Sequence, residues 1–357
     1  MNMKKNVLIV FGGESSEHEI SRISAESLLN HIDRECYNVQ TAGITKDGRW
    51  FLTEASPEEI ADGSWELREG NSPLMLSLDK SGGRFLTTDA GGIRQIDTDV
   101  VFPVLHGKNG EDGRIQGMLR MADLPFVGSD TASSAACMDK GITKALVEQA
   151  DVANQAKCCI IHRSNCDPDE AAENVEVFFK GDYPLFVKPS SAGSSVGISK
   201  VRNRRELVKG IKVAFEEDRK IIVEEAIVGR ELEVAVLGNE DAAASEIGEI
   251  FPAHEFYDYD AKYSDCGSKT AVAEGIDDRI REEIIDTALK IYTVMDCSGL
   301  ARVDFFLRED GTVVFNEINT IPGFTKISMY PKLWETCGIP YKKLIGRLIE
   351  LALEKQE

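Results

Sequence analysis

Short apolar runs alternate along this chain with stretches whose apolar residues recur at helical spacing, a pattern of strands and helices threaded by glycine-rich turns. Val7-Leu-Ile-Val-Phe11 reads as a buried strand ended by Gly12-Gly13. Ser16 with Glu19 three residues on predicts a capping box, and Ile20, Ile23, Leu28 and Ile32 continue as one helix. Residues 55–97 are polar, with short strands expected at 74–78 and 84–88, and 99–105 reads as a second buried strand. Beyond Val127-Gly128 the spacing predicts a helix over 133–150, an acidic helix over 169–180, a strand at 185–188, a helix over 206–217 and a strand at 221–224. The last third carries a strand at 231–237, an irregular stretch over 252–275, a helix over 278–295, a hairpin and a terminal helix after Pro340. This mixed α/β pattern divides at 1–128, 129–224 and 225–357, without internal repeats or low-complexity tracts.

The hairpin is the most informative element. Leu300-Ala-Arg-Val-Asp-Phe-Phe-Leu307 and Thr312-Val-Val-Phe-Asn-Glu-Ile-Asn319 flank Asp310-Gly311, a strong two-residue turn signal. Counting outward from it sets Asp304 opposite Glu317, Arg302 opposite Asn319 and Phe306 opposite Phe315, all on one face. Opposed carboxylates repel. Either a divalent cation sits among Asp304, Glu317 and Asn319, where oxygen donors favour Mg²⁺ or Mn²⁺ over zinc, or this is a solvated strand face.

Composition narrows the partners. At 357 residues the chain is long enough for two or three domains, and a formal net charge of −20 argues against broad nucleic-acid or anionic-membrane binding. Eight cysteines without a C-x-x-C pair read as reduced cytosolic thiols, and neither a signal peptide nor a membrane span is recognisable, so a cytoplasmic protein is expected.

Several segments could bind phosphates. Pro189-Ser-Ser-Ala-Gly-Ser-Ser-Val-Gly197 is suited to folding over them, although a plain surface turn has the same composition. Lys188 leads into that loop from a strand, and Lys140 in Met138-Asp-Lys-Gly141 is a second cation. No Walker A motif or complete G-x-G-x-x-G occurs. Glu224-Glu-Ala-Ile227 could form a hinge that reads a base edge, with Glu231 accepting from ribose hydroxyls; exposed acids at strand ends are the alternative. Glu17 in a first helical turn suits the helix dipole, and Arg302 near Pro322-Gly323 offers the donors an oxyanion needs, a structural arginine paired with an acid being the alternative. Glu255-Phe-Tyr-Asp-Tyr-Asp-Ala-Lys-Tyr263 reads as an aromatic lid or a tethered loop.

Together Gly12-Gly-Glu-Ser-Ser-Glu-His-Glu-Ile-Ser21, Leu105-His-Gly-Lys-Asn-Gly-Glu-Asp-Gly113, Met138-Asp-Lys140, Lys188 to Gly197, Phe256 to Tyr263, Ala301-Arg-Val-Asp304 and Asn316-Glu-Ile-Asn-Thr-Ile-Pro-Gly-Phe-Thr325 resemble the D-alanine–D-alanine ligases of the ATP-grasp superfamily, in order and over nearly the whole chain. The resemblance implies an N-terminal parallel-sheet α/β domain and two α+β domains sandwiching ATP. It also implies D-alanyl phosphate formation, attack by a second D-alanine and a homodimer serving peptidoglycan precursor synthesis. By resemblance, Glu17 and His106 hold the first substrate, and Glu17, Ser194 and Tyr263 form a network that closes the lid. Lys140, Lys188 and Lys262 neutralise ATP phosphates, and Ser194, Ser195, Glu224, Glu225, Ile227, Glu231, Phe306 and Asn316 complete the nucleotide site. Asp304, Glu317 and Asn319 bind two Mg²⁺ ions, Arg302 and the Gly323 amide stabilise the oxyanion, and Ser328 with the Met329 amide grips the second carboxylate. Lactate-forming relatives carry a lid histidine where Lys262-Tyr263 stands, and serine- and lactate-forming relatives usually have arginine where Met329 stands. Both differences favour D-alanine, while Ile327 departs from the family's usual histidine. A D-alanine–D-serine ligase, or a non-catalytic ATP-binding relative, is the alternative.

Overall fold

The computed structural model describes residues 4–79, 84–89, 91–164, 167–193, 196–251, 269–325 and 327–355. Three β-sheets follow one another along the chain. The first has seven strands in the order Gly92–Ile96, Phe85–Asp89, Ser72–Leu76, Trp50–Thr53, Tyr37–Ile44, Lys5–Gly12, Val100–Pro103. Only Lys5–Gly12 runs parallel to its neighbours, Tyr37–Ile44 and Val100–Pro103; the other pairings are antiparallel, so the expected parallel sheet is a mixed one. Successive hairpins from the polar stretch extend its edge. Strand Lys5–Gly12 is buried throughout Val7–Phe11, as its unbroken apolar run requires.

Helix His18–His31 follows, and here the expected capping box does not form. Glu17 is the N-cap residue and makes no side-chain cap bond, because the Ser15-Ser16 turn starts the helix one residue later than predicted. The predicted helix over 133–150 is two helices, Thr131–Met138 and Lys140–Ala150. Asp139 breaks them apart. It leaves helical geometry (φ −88°, ψ 98°) and caps the second helix by accepting from the Ile142 N–H at 3.1 Å.

The second sheet orders its strands as Ser199–Val201, Leu185–Pro189, Lys220–Glu225, Cys158–His162, covered by helices Pro168–Phe179 and Arg204–Glu217. The third orders Lys269–Val272, Ala243–Phe251, Arg230–Gly238, Gly299–Leu307, Val313–Asn319, backed by helix Asp278–Val294. The terminal helix Tyr341–Glu354 sits between the first and third sheets: Leu344, Ile345, Leu348 and Ile349 are fully buried in one core with Val7, Ile9 and Phe102 on one side and Ala235 and Leu300 on the other. That shared core fixes the two sheets against each other. Among the described residues, no helix is long and apolar enough to cross a membrane.

Candidate active site

The three sheets enclose a cavity of about 1530 Å³. It is lined by Glu17, His106, Lys140, Lys188, Glu224, Glu225, Ile227, Glu231, Arg302, Asp304, Phe306, Asn316, Glu317, Asn319, Gly323, Ser328 and Met329, every candidate that falls on described residues. Ser194, Ser195, Lys262 and Tyr263 lie outside the described residues.

On the hairpin, Asp304 pairs with Glu317 and Arg302 with Asn319, as counted. The turn is nevertheless one residue longer than expected. Arg308 and Thr312 are bonded at 3.0 Å across Glu309-Asp310-Gly311, with Gly311 at φ +86° closing a three-residue loop. Phe315 therefore faces Phe305, and Phe306 faces Val314, correcting the predicted Phe306–Phe315 pair. A bulge at Asn316 then takes up the extra residue and restores the register at Glu317. The bulge also separates two environments: Phe305 and Phe315 enter the core, while the next residues carry the polar site.

Arg302 grips Asp304 with both arms, Nε to Oδ1 and Nη2 to Oδ2 each at 2.7 Å, and meets Glu233 Oε1 at 3.1 Å. Burial alone would lower the guanidinium pKa, but the Asp304 and Glu233 charges outweigh it and raise it. Asn319 Nδ2 donates to Asp304 Oδ2 at 3.1 Å. Two carboxylates and one amide thus meet on adjacent strands, a hard-oxygen donor set that fits magnesium or manganese. Among the described residues no group of three or more His, Cys, Asp or Glu is placed to hold a metal.

The cationic side of the cavity is equally ordered. Lys140 starts its helix at the Asp139 break and reaches Ala192 O at 3.0 Å and Glu317 Oε2 at 3.5 Å, tying the glycine-rich loop to the hairpin. Lys188 Nζ lies 2.5 Å from Glu224 Oε2, and Lys144 Nζ lies 3.0 Å from Oε1 of the same carboxylate. Burial would raise the Glu224 pKa; the two lysines reverse that and hold it at about 2. The Glu224 carboxylate thus anchors both lysines. The hinge beyond it is partly committed as well. The Glu225 and Ala226 amides donate to Lys157 O at 3.0 Å and Pro184 O at 3.2 Å, and the Glu225 carboxylate accepts from the Lys157 N–H at 3.0 Å.

At the other end, Glu17 is buried and wedged between two backbones. A Cβ on Gly107 would come within 2.5 Å of its Oε2, and one on Gly193 within 2.7 Å. His106 Nδ1 meets the Ile321 carbonyl at 3.2 Å, so that nitrogen carries the proton and Nε2 accepts from the Ser24 hydroxyl at 3.0 Å. Burial pushes its pKa down and keeps the ring neutral, and both nitrogens serve the protein. Ser328 precedes helix Met329–Thr336; its Oγ accepts from the Thr325 N–H at 3.0 Å and would lie 2.9 Å from a Cβ on Gly323. The Met329 amide opens that helix towards the cavity, and its thioether packs where a Gly248 Cβ would be, 2.6 Å from Sδ.

Family profiles described as D-ala D-ala ligase N-terminus and D-ala D-ala ligase C-terminus match residues 6–129 and 146–350. The chain belongs to the D-alanine–D-alanine ligase family. It is 46% identical to the D-alanine–D-alanine ligase of Ruminiclostridium cellulolyticum, over 99% of this chain and 96% of that one. Identity to the Clostridium acetobutylicum D-alanine–D-alanine ligase is also 46%, over 99% of both. Among solved structures, VanG D-Ala:D-Ser ligase from Enterococcus faecalis superposes with a TM-score of 0.88 at 39% identity, covering 98% of this chain and 100% of that one. The D-alanine–D-alanine ligase from Coxiella burnetii gives 0.87 at 35%, covering 99% and 94%.

Sequence reasoning missed four polar residues of this ligase site. Lys144 lies one turn beyond Lys140 on the same helix, a spacing that marks the shared face. Glu233 supports Arg302 from the neighbouring strand, and Asp139 joins Lys220 and Ser190 beneath the glycine-rich loop; both depend on pairing between distant segments. Glu111 lies within the quoted Leu105–Gly113 motif, where its acidic character was the available signal.

Proposed function

We propose that this chain couples ATP cleavage to the joining of two D-alanines, giving D-alanyl-D-alanine for peptidoglycan precursor synthesis. The carrying observation is that Lys140 bridges the glycine-rich loop and Glu317 within one cavity, beside the Asp304–Asn319 donor set. Lys140 and Lys188 would neutralise the phosphates, with Lys262, Ser194 and Ser195 closing over them, and Ile227, Glu231, Phe306 and Asn316 would border the nucleoside. Asp304, Glu317 and Asn319 would hold two magnesium ions, which supply charge neutralisation during phosphoryl transfer. Glu17 would receive the ammonium of the first D-alanine, in a pocket shaped by His106. The carboxylate of that first D-alanine takes the γ-phosphoryl group of ATP, giving D-alanyl phosphate and ADP. The amine of the second D-alanine, gripped at its carboxylate by Ser328 and the Met329 amide, attacks that carbonyl. Arg302 and the Gly323 amide would stabilise the resulting oxyanion, and phosphate leaves. Tyr263 with Ser194 and Glu17 would close the lid.

Domain limits at 128/129 and 224/225, a homodimer and a cytoplasmic site complete this reading. A D-serine acceptor is the rival, favoured by the likeness to a D-Ala:D-Ser ligase. Met329 stands where serine- and lactate-forming relatives usually carry arginine, which argues for D-alanine. Incubation with ATP, Mg²⁺, D-alanine and D-serine together should yield mostly D-alanyl-D-alanine, and a dominant mixed product overturns the choice. E317Q should lower kcat by about 10²-fold or more, the scale of losing one charge-stabilising group, with little change in Tm; parallel losses would contradict a metal role.

A further inference from the structure

The fold brings a second carboxyl to the first-substrate end of the cavity. Glu111 lines the cavity, and its Oε2 accepts the Gly107 N–H at 2.8 Å. The opposite side of Gly107 meets Glu17, whose Oε2 would lie 2.5 Å from a Cβ on that glycine. Two carboxyl groups therefore flank one glycine residue, which sits at φ +70° in the turn closed by the Glu111 amide on Gly107 O at 2.9 Å. The charges facing Glu111 are Glu17 from the start of the first helix and Glu317 and Arg302 from the hairpin. Arg302 is engaged by Asp304 and Glu233, and His106 is a neutral ring bonded at both nitrogens. Lys108, next in sequence, turns outward to Glu14 at 3.0 Å.

We propose that Glu111 is a second positioning carboxylate for the ammonium group of the first amino-acid substrate, acting opposite Glu17. This rests on the ligase reading for the identity of that substrate. The group it recognises is a primary ammonium beside a carboxylate; a hydroxy acid lacks the charge. Burial, then the neighbouring Glu17, push the Glu111 carboxyl up to about 8. An arriving ammonium ion stabilises the ionised form of Glu111, which offsets its repulsion from Glu17.

E111Q separates charge from structure, because the glutamine oxygen still accepts the Gly107 N–H while the negative charge is gone. Equilibrium dialysis of labelled D-alanine against the full chain, without ATP, should show affinity weakened at least 10-fold in E111Q and retained within about 3-fold in E111D. D-lactate, measured by competition against the labelled amino acid, should lose no affinity in E111Q. Unchanged D-alanine affinity in E111Q, or equal losses for D-alanine and D-lactate, would overturn the assignment. Dipeptide formation on adding ATP and Mg²⁺ is scored separately: failure there with D-alanine binding intact refutes the ligase reading and leaves the ammonium site standing.

Discussion

Glu224 shows how a buried charge can be worth more for what it holds than for what it could contact. Both its oxygens are taken by lysines, and its folded carboxyl titrates near 2 against an ordinary 4.5. A depressed carboxyl contributes stability that is complete above about 4.5 and is lost as pH falls towards 2. Replacing it by glutamine leaves two ammonium groups buried without their counter-charge. E224Q should cost about 3–5 kcal/mol in urea denaturation at pH 7, with the gap to the parent narrowing steadily below pH 4.5. Glu111 has the opposite sign. Its raised carboxyl makes the folded state lose stability as pH climbs from 4.5 to about 8, so E111Q should melt above the parent at pH 8.5 and converge with it near pH 4.5. Gly193 offers a steric test at the same end of the cavity. A methyl group there meets the Glu17 carboxylate, and G193A should raise the KM for D-alanine by about 10-fold or more through misplacement of that group. The sequence made Lys140, Lys188 and Glu17 visible because each stands beside a turn or loop signal. Lys144 is marked only by its spacing from Lys140, and Glu233 carries no local mark: it matters because another strand places Arg302 against it.

At the scale of elements, the hairpin contains two irregularities that cancel. A three-residue turn shifts the strands by one, and the bulge at Asn316 shifts them back, so the polar pairs survive while the aromatic pairs between them do not. Local turn chemistry predicted one register for the whole hairpin, which no bulge-free strand pair could have escaped. Inserting one alanine after Asn316 should therefore keep the Phe305–Phe315 core contact and turn Glu317 away from Asp304. The expected result is a folded protein by circular dichroism with dipeptide synthesis reduced by about 10²-fold or more. Other elements were silent for different reasons. Strand Ala243–Phe251 is rich in Ala and Gly and has little intrinsic strand preference; Gly248 is there because Met329 occupies the space of a side chain. Helix Met329–Thr336 carries Pro331 within its first turn, where proline is tolerated but resembles a loop signal. The long strand and helix runs, by contrast, were legible because burial demands an unbroken apolar pattern.

The described residues form three sheets around the cavity, and the terminal helix is what joins the outer two. Its buried leucines and isoleucines belong to neither sheet alone. Removing residues 341–355 should expose the apolar faces of both, giving aggregation on expression and loss of the cooperative thermal transition, a result that static light scattering and calorimetry would register. A truncated chain that stays monodisperse and melts sharply would show that the shared core is dispensable. The same helix has a consequence for synthesis. Translation delivers the strand Val100–Pro103 well before the helix Tyr341–Glu354 that packs on it, so part of the first sheet's apolar face waits for a distant segment, and that interval is the time in which a chaperone has something to hold.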